Sequence, residues 1–138
     1  NNMTLKEYVN QVGKDSGYDG CTPLMIAAYG EHFQVVKYLI EQGEADPNIA
    51  NRYGLNALHW AAQNNRATTE LIQLLIAHMS LDSISKKDGA GCTPLDRAYE
   101  FNDNQIKQNI IALLCSEGGK ANWYDANGRE VVKSQIVN

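Results

Sequence analysis

The sequence predicts an all-α solenoid of stacked helix-turn-helix units joined by β-hairpin-like loops, and three observations predict it. The stretch Asp19-Gly20-Cys21-Thr22-Pro23-Leu24-Met25-Ile26-Ala27-Ala28 returns loosely as Gly54-Leu55-Asn56-Ala57-Leu58-His59-Trp60-Ala61-Ala62 and closely as Gly91-Cys92-Thr93-Pro94-Leu95-Asp96-Arg97-Ala98. The anchoring glycines Gly20, Gly54 and Gly91 stand 34 and then 37 residues apart, and Gly128 lies another 37 on. Each full copy leads into a second apolar segment at helical spacing. A period of roughly 20 to 50 residues marks units that cannot bury an apolar face alone, so neighbours must stack.

The bulk composition permits such a stack. A chain of 138 residues suits one domain, and that size buries roughly 70 % of its unfolded surface. Apolar residues make up 43 % and charged residues 20 %, the balance of a folded chain. The formal charge of −4 offers no basic excess for phosphates, so nucleic acid is not the expected partner. No apolar run approaches the roughly 20 residues of a membrane span, and residues 1–10 lack a signal-peptide plan. Three cysteines without C-x-x-C spacing argue against both a disulfide framework and a zinc site. Cys21 and Cys92 hold one slot in units two apart, roughly 20 Å at a helix packing distance of about 10 Å, too far for a disulfide. A reducing compartment, cytoplasmic or nuclear, is therefore expected, or a host cytosol if the protein is a microbial effector.

Taken in order, Thr4 and Glu7 form a capping box for a short helix whose apolar stripe is Leu5, Tyr8, Val9 and Val12, ending at Gly13. It corresponds to the second helix of a preceding unit, either a cap or the trailing part of a longer array. In the first full unit Thr22 caps a helix with Pro23 at its first position. Leu24, Ala27 and Ala28 form a narrow face that another helix can approach closely. Gly30 ends that helix. A second spans His32 to Gln42 with Phe33, Val35, Val36, Leu39 and Ile40 inward, and Gly43 is expected to stop it in a left-handed conformation. Glu44 to Tyr53 reads as an extended loop or β-hairpin. In the second unit Asn56-Ala57 replaces Thr-Pro, and a longer inter-helix segment surrounds Asn64 to Thr69. Asn65 and Asn102 take turn positions. The third unit carries extra residues, about one helical turn, that extend its second helix to roughly Asn104–Ser116, with Ile106, Ile110, Ile111, Leu113 and Leu114 apolar. The final unit from Asp125 is fragmentary: a terminal cap or a repeat cut off at Asn138. The resulting organisation is one domain over 1–138, with repeats at 18–51, 52–88 and 89–124 and partial units or caps at 1–17 and 125–138.

The pattern G-x-T-P-L-x-x-A-A, V-V-x-x-L-I-x-x-G and A-D-P-N, carried by Gly20, Thr22, Pro23, Leu24, Ala27, Ala28, Val36, Leu39, Gly43, Asp46 and Asn48, resembles the ankyrin repeat. In that family the His of T-P-L-H braces adjacent turns. Only His59 keeps it here, and Met25 and Asp96 in its place imply weaker local bracing. Asn48 and Asn122 match the hairpin asparagine that eukaryotic cells can hydroxylate, and they read as turn asparagines bonding backbone.

The repeat scaffold accounts for the side chains that could carry chemistry. Cys21 and Cys92 are explained by a repeat slot, Cys115 as a small packed hydrophobe, His59 as the structural histidine, and His32 and His78 as exposed. Asp46, Asp88 and Asp125 read as loop carboxylates bonding nearby backbone, and Asp88-Gly89-Ala90-Gly91 lacks the rest of a phosphate-binding motif. No catalytic residue, cofactor or metal is expected, and the chain is read as not an enzyme. The resemblance implies protein–protein recognition by a monomer through a concave groove of loop tips and first helices, the partner being another protein or an adjoining domain. The expected partner-binding residues are Tyr18, Asp19, Tyr29, Arg52, Tyr53, Leu55, Trp60, Gln63, Asn64, Tyr99, Glu100, Trp123 and Arg129, with Ala90 and Asn127 between them. The alternative is a regulatory or targeting segment of a larger enzyme, channel or secreted effector.

Overall fold

The computed structural model describes residues 3–12, 20–64, 66–100, 105–125 and 129. Among them run α1 (Leu5–Val9), α2 (Pro23–Tyr29), α3 (Phe33–Glu41), α4 (Ala57–Ala62), α5 (Thr69–Ala77), α6 (Leu81–Ile84), α7 (Pro94–Glu100) and α8 (Gln105–Ser116), with no β-strand. Each first helix begins where its cap says it should. Thr22 Oγ1 accepts from the Met25 N–H at 3.3 Å, and Thr93 Oγ1 from the Asp96 N–H at 3.2 Å. Asn56 replaces threonine without loss, because its Oδ1 accepts from Leu58 and His59 N–H groups at 3.0 and 3.1 Å.

The helices pack in two layers. First helices α2, α4 and α7 lie side by side, second helices α3, α5 and α8 lie behind them, and each first helix packs on its own second helix. Ala28, Ala61, Ala62 and Ala98 sit fully buried where the first layer closes, and Leu58, Leu71, Ile72, Leu75, Ile110 and Leu114 fill the space between layers. Truncating one of these leucines to alanine would cost about 2–5 kcal/mol. α8, at 12 residues against 9 in α3 and α5, carries the expected extension.

The loops repeat as faithfully as the helices. Asn51, Asp88 and Asp125, each 37 residues after the last, use a side-chain oxygen to close the turn that follows: Asn51 Oδ1 accepts from Tyr53 and Leu55 N–H groups, Asp88 Oδ1 from Ala90 and Cys92, and Asp125 Oδ1 from Arg129. Gly54 and Gly91 follow Asn51 and Asp88 at φ +79° and +81°, and Gly20 stands at φ +78° in the same slot of the first unit, the left-handed region where a side chain costs energy. At Gly54 a Cβ would also stand 3.1 Å from Asp88 Cα in the next loop. The loops are tied together by the Gly89 N–H donating to the Tyr53 carbonyl at 2.8 Å. Asn48 and Asn122 do bond backbone, Asn48 accepting from the Ser80 N–H and Asn122 donating to the Gly91 carbonyl.

Several expectations need correction. Val35 is exposed, since α3 buries only the face carrying Val36 and Ile40. Gly43 is not left-handed; Glu44 takes φ +55° instead, and glycine is required at 43 because a Cβ there would lie 2.9 Å from the Leu39 carbonyl oxygen. Of the α1 stripe only Val9 is buried, while Leu5, Tyr8 and Val12 are exposed, because α1 touches the stack over a single turn. Cys115 is exposed rather than packed as a small hydrophobe, and its thiol meets the Tyr99 hydroxyl of α7. The short α6, capped by Ser80, was not anticipated. Asn65, Asn102 and the side chain of Ile106 lie outside the described residues.

Candidate functional site

Repeat register places the residues that face away from the stack. Ile26, Trp60 and Arg97 hold one offset in α2, α4 and α7, and Tyr29, Gln63 and Glu100 hold the next position along the same side. Tyr29 is 53 % and Ile26 43 % exposed, and Tyr29 meets the half-buried Trp60 edge-on with ring centroids 5.1 Å apart. Trp60 is thus wedged against the neighbouring unit as well as bordering the face. Arg97 changes the chemistry of that row. Its Nε and Nη2 fork onto Asp88 Oδ2 at 3.1 and 2.8 Å, and its Nη1 reaches Glu100 Oε2 at 3.1 Å.

Between the second and third loop tips lies an open cleft of about 330 Å³ lined by Tyr53, Leu55, Asp88, Gly89, Ala90 and Arg97. Tyr53 is exposed and Leu55 half-buried. Burial raises the Asp88 carboxyl, but the Arg97 fork and the N–H groups of Cys92 and Ala90 outweigh it and hold the group below its ordinary value. Beside it the Cys92 thiol is pushed up to about 12, chiefly by burial, with Arg97 pulling the other way. A thiol held neutral is no nucleophile. Among the described residues no three His, Cys, Asp or Glu side chains converge as metal ligands, and no helix is long and apolar enough to cross a membrane.

The expected partner-binding residues divide by what else they do. Arg52, Tyr53 and Tyr29 are exposed, and Glu100 is exposed but paired with Arg97. Gln63 is half-buried. Asn64 is occupied at both ends, its Nδ2 donating to the Tyr29 carbonyl and its Oδ1 accepting from the Arg66 N–H. Tyr99 stacks at a tilt on Tyr124, 5.3 Å between centroids. Trp123 donates from Nε1 to the Ala90 carbonyl at 3.1 Å, covering Gly91. Arg129 is exposed, and its N–H donates to Asp125. Tyr18, Asp19 and Asn127 lie outside the described residues.

Three residues carry more than the sequence suggested. Arg97 was legible as the register equivalent of Ile26 and Trp60. Lys107, buried in the first turn of α8, donates from Nζ to the Ala62 and Asn64 carbonyls at 2.7 and 3.1 Å, a cation at the C-terminal end of α4. Burial pushes its ammonium down while Glu31 favours the charge. Asp96, fully buried, restores the bracing that the absent histidine was expected to weaken. It accepts from the Thr93 N–H at 2.9 Å and, across to the loop after α8, from the N–H groups of Asn122 at 2.9 Å and Trp123 at 2.8 Å. His59 does fulfil its expected role, contacting the Cys92 carbonyl at 3.0 Å.

A family profile described as ankyrin repeats (3 copies) matches residues 1–72 and again residues 45–127. Protein fem-1 homolog A-like of Mus musculus is 38 % identical over 92 residues, 67 % of this chain and 13 % of that protein. A putative ankyrin repeat protein of fowlpox virus is 30 % identical over 107 residues, 74 % of this chain and 30 % of its own length. The NAD-dependent deacetylase sir2B of Dictyostelium discoideum is 29 % identical over 107 residues, covering 72 % of this chain and 14 % of that protein. The chain spans less than a third of the length of these relatives.

Proposed function

The chain belongs to the ankyrin-repeat family, and from that membership we propose that it recognises a partner protein through the face formed by its loop tips and first helices, without catalysis and without a cofactor, as a monomer built from the repeats at 18–51, 52–88 and 89–124. Ankyrin repeats are generally protein-interaction modules. One observation supports placing recognition on this face. Tyr29 at the end of α2 and Arg52 and Tyr53 on the loop before α4 stand exposed, while most of the apolar residues of the first helices are buried in the stack. Tyr and Arg are among the residues that most often dominate interface energetics.

The test begins with peptides selected from a random display library on the wild-type chain. Arg52→Ala combined with Tyr53→Ala is expected to weaken their binding about tenfold or more while leaving the thermal midpoint nearly unchanged, because neither side chain is buried. Equal affinity for every selected peptide would refute the assignment of this face. The much greater length of the relatives, one of them named a deacetylase, also favours a second reading in which the partner is an adjoining domain of the same polypeptide.

A further inference from the structure

We propose that the cleft between the second and third loop tips receives an apolar side chain from a partner segment that carries acidic residues on either side of it. This rests on the recognition reading above and narrows it to one subsite and one partner chemistry. The cleft is preformed, because the Gly89 N–H is bonded to the Tyr53 carbonyl at 2.8 Å and holds the two loops in fixed register. Tyr53 and Leu55 supply apolar surface, and Gly89 and Ala90 leave room for an inserted group. Its floor offers no free charge. The Asp88 side chain is 1 % exposed and is forked by Arg97, whose remaining contact is with Glu100. A neutralised floor under apolar walls favours an aliphatic or aromatic side chain over a charged one.

The rim has the opposite character. Lys86-Lys87 directly precede Asp88 on one wall, whereas Arg52, before Tyr53, packs its Cβ toward Gly20 of the first loop tip. All three are exposed, and none forms a salt bridge with a described residue. Glu100, at the end of α7, is already held by Arg97. Two exposed lysines without a salt bridge among the described residues, leading into one wall of an apolar cleft, select acidic residues flanking the anchor. An acidic protein segment fits better than nucleic acid, which needs a run of cations tracking a backbone rather than two lysines beside one slot.

The experiment sequences the peptides selected on the full chain and titrates synthetic copies. Winners are expected to place a Leu, Ile, Met or Phe between Asp or Glu residues. Their affinity should fall about tenfold or more in Lys86→Glu/Lys87→Glu and at high salt, and survive in Lys86→Arg/Lys87→Arg. It should also fall when the peptide acids become Asn or Gln, and in Leu55→Asp. Tyr53→Ser, at an exposed position, serves if Leu55→Asp lowers the thermal midpoint. Peptides that bind through Arg52 and Tyr53 yet lack acids and ignore the lysine reversal would overturn this inference and leave the recognition reading standing. Indifference to Arg52 and Tyr53 would sink both. Equal or tighter binding of single-stranded oligo-dT, lost on lysine reversal, would overturn the acidic-peptide assignment in favour of nucleic acid.

Discussion

His59 and Asp96 stand three residues after the caps Asn56 and Thr93, at one offset in successive first helices, and both are fully buried. They brace the loop that follows their own second helix or opens the next unit, with opposite hydrogen-bond polarity. The Asn56 N–H donates to His59 Nδ1 at 3.1 Å, which leaves the ring proton on Nε2 to be donated to the Cys92 carbonyl at 3.0 Å. Asp96 has only lone pairs to offer as a carboxylate, and the following loop turns N–H groups toward it, those of Asn122 and Trp123. What the repeat preserves at this slot is a buried bridge to a following loop, while donor or acceptor character is matched locally between the slot and that loop. A buried polar group left unmatched costs about 1–3 kcal/mol, so the two braces are not interchangeable.

Exchanging the residues breaks the comparison most directly. His59→Asp would set a carboxylate against the Cys92 carbonyl, acceptor facing acceptor, and is expected to cost about 3 kcal/mol or more in urea unfolding. Asp96→His would aim a ring N–H at the N–H groups of Asn122 and Trp123 and should cost about 2 kcal/mol or more, no better than Asp96→Ala. If either exchange came within about 0.5 kcal/mol of wild type, polarity at this slot would be irrelevant. The smallest effect sharpens the contrast. Burial holds the His59 imidazole below its ordinary value, against the Cys92 carbonyl and the Asp88 carboxylate that favour the cation. The unfolded chain therefore takes up the proton first, and stability is full above about pH 6.5 and declines as the pH falls from there through the folded-state value. His59→Gln is expected to flatten that decline between neutrality and the carboxylate range, as read from unfolding midpoints across pH.

The fold was largely legible because its determinants are local and repeated. Thr22-Pro23, Asn56 and Thr93-Pro94 mark helix starts through caps that act within three residues, and the glycines at 20, 54 and 91 mark turns that need a left-handed residue. The face was legible less evenly. Tyr29, Arg52 and Tyr53 emerge exposed, whereas Asn64 and Trp123 turn out to be tied to neighbouring units. Nothing in their own segments distinguishes those cases, because their hydrogen-bond partners, Tyr29 and Ala90, lie 35 and 33 residues away. Lys107 follows the same rule, its partner Ala62 lying 45 residues away, whereas Arg97 bonds Asp88 only nine residues back, across the turn into α7.

By itself the sequence determined the unit, its period, its caps and the small residues that let first helices close together, since each follows from steric and hydrogen-bonding rules over a few residues. Only the tertiary structure decided which buried bridge donates and which accepts, that Gly43 answers to a close backbone approach rather than to a left-handed turn, and that Arg97 is neutralised above Asp88. Those outcomes depend on groups 26 to 33 residues apart, or on contacts across a turn that no local propensity encodes, and they exist only once the chain has folded back on itself.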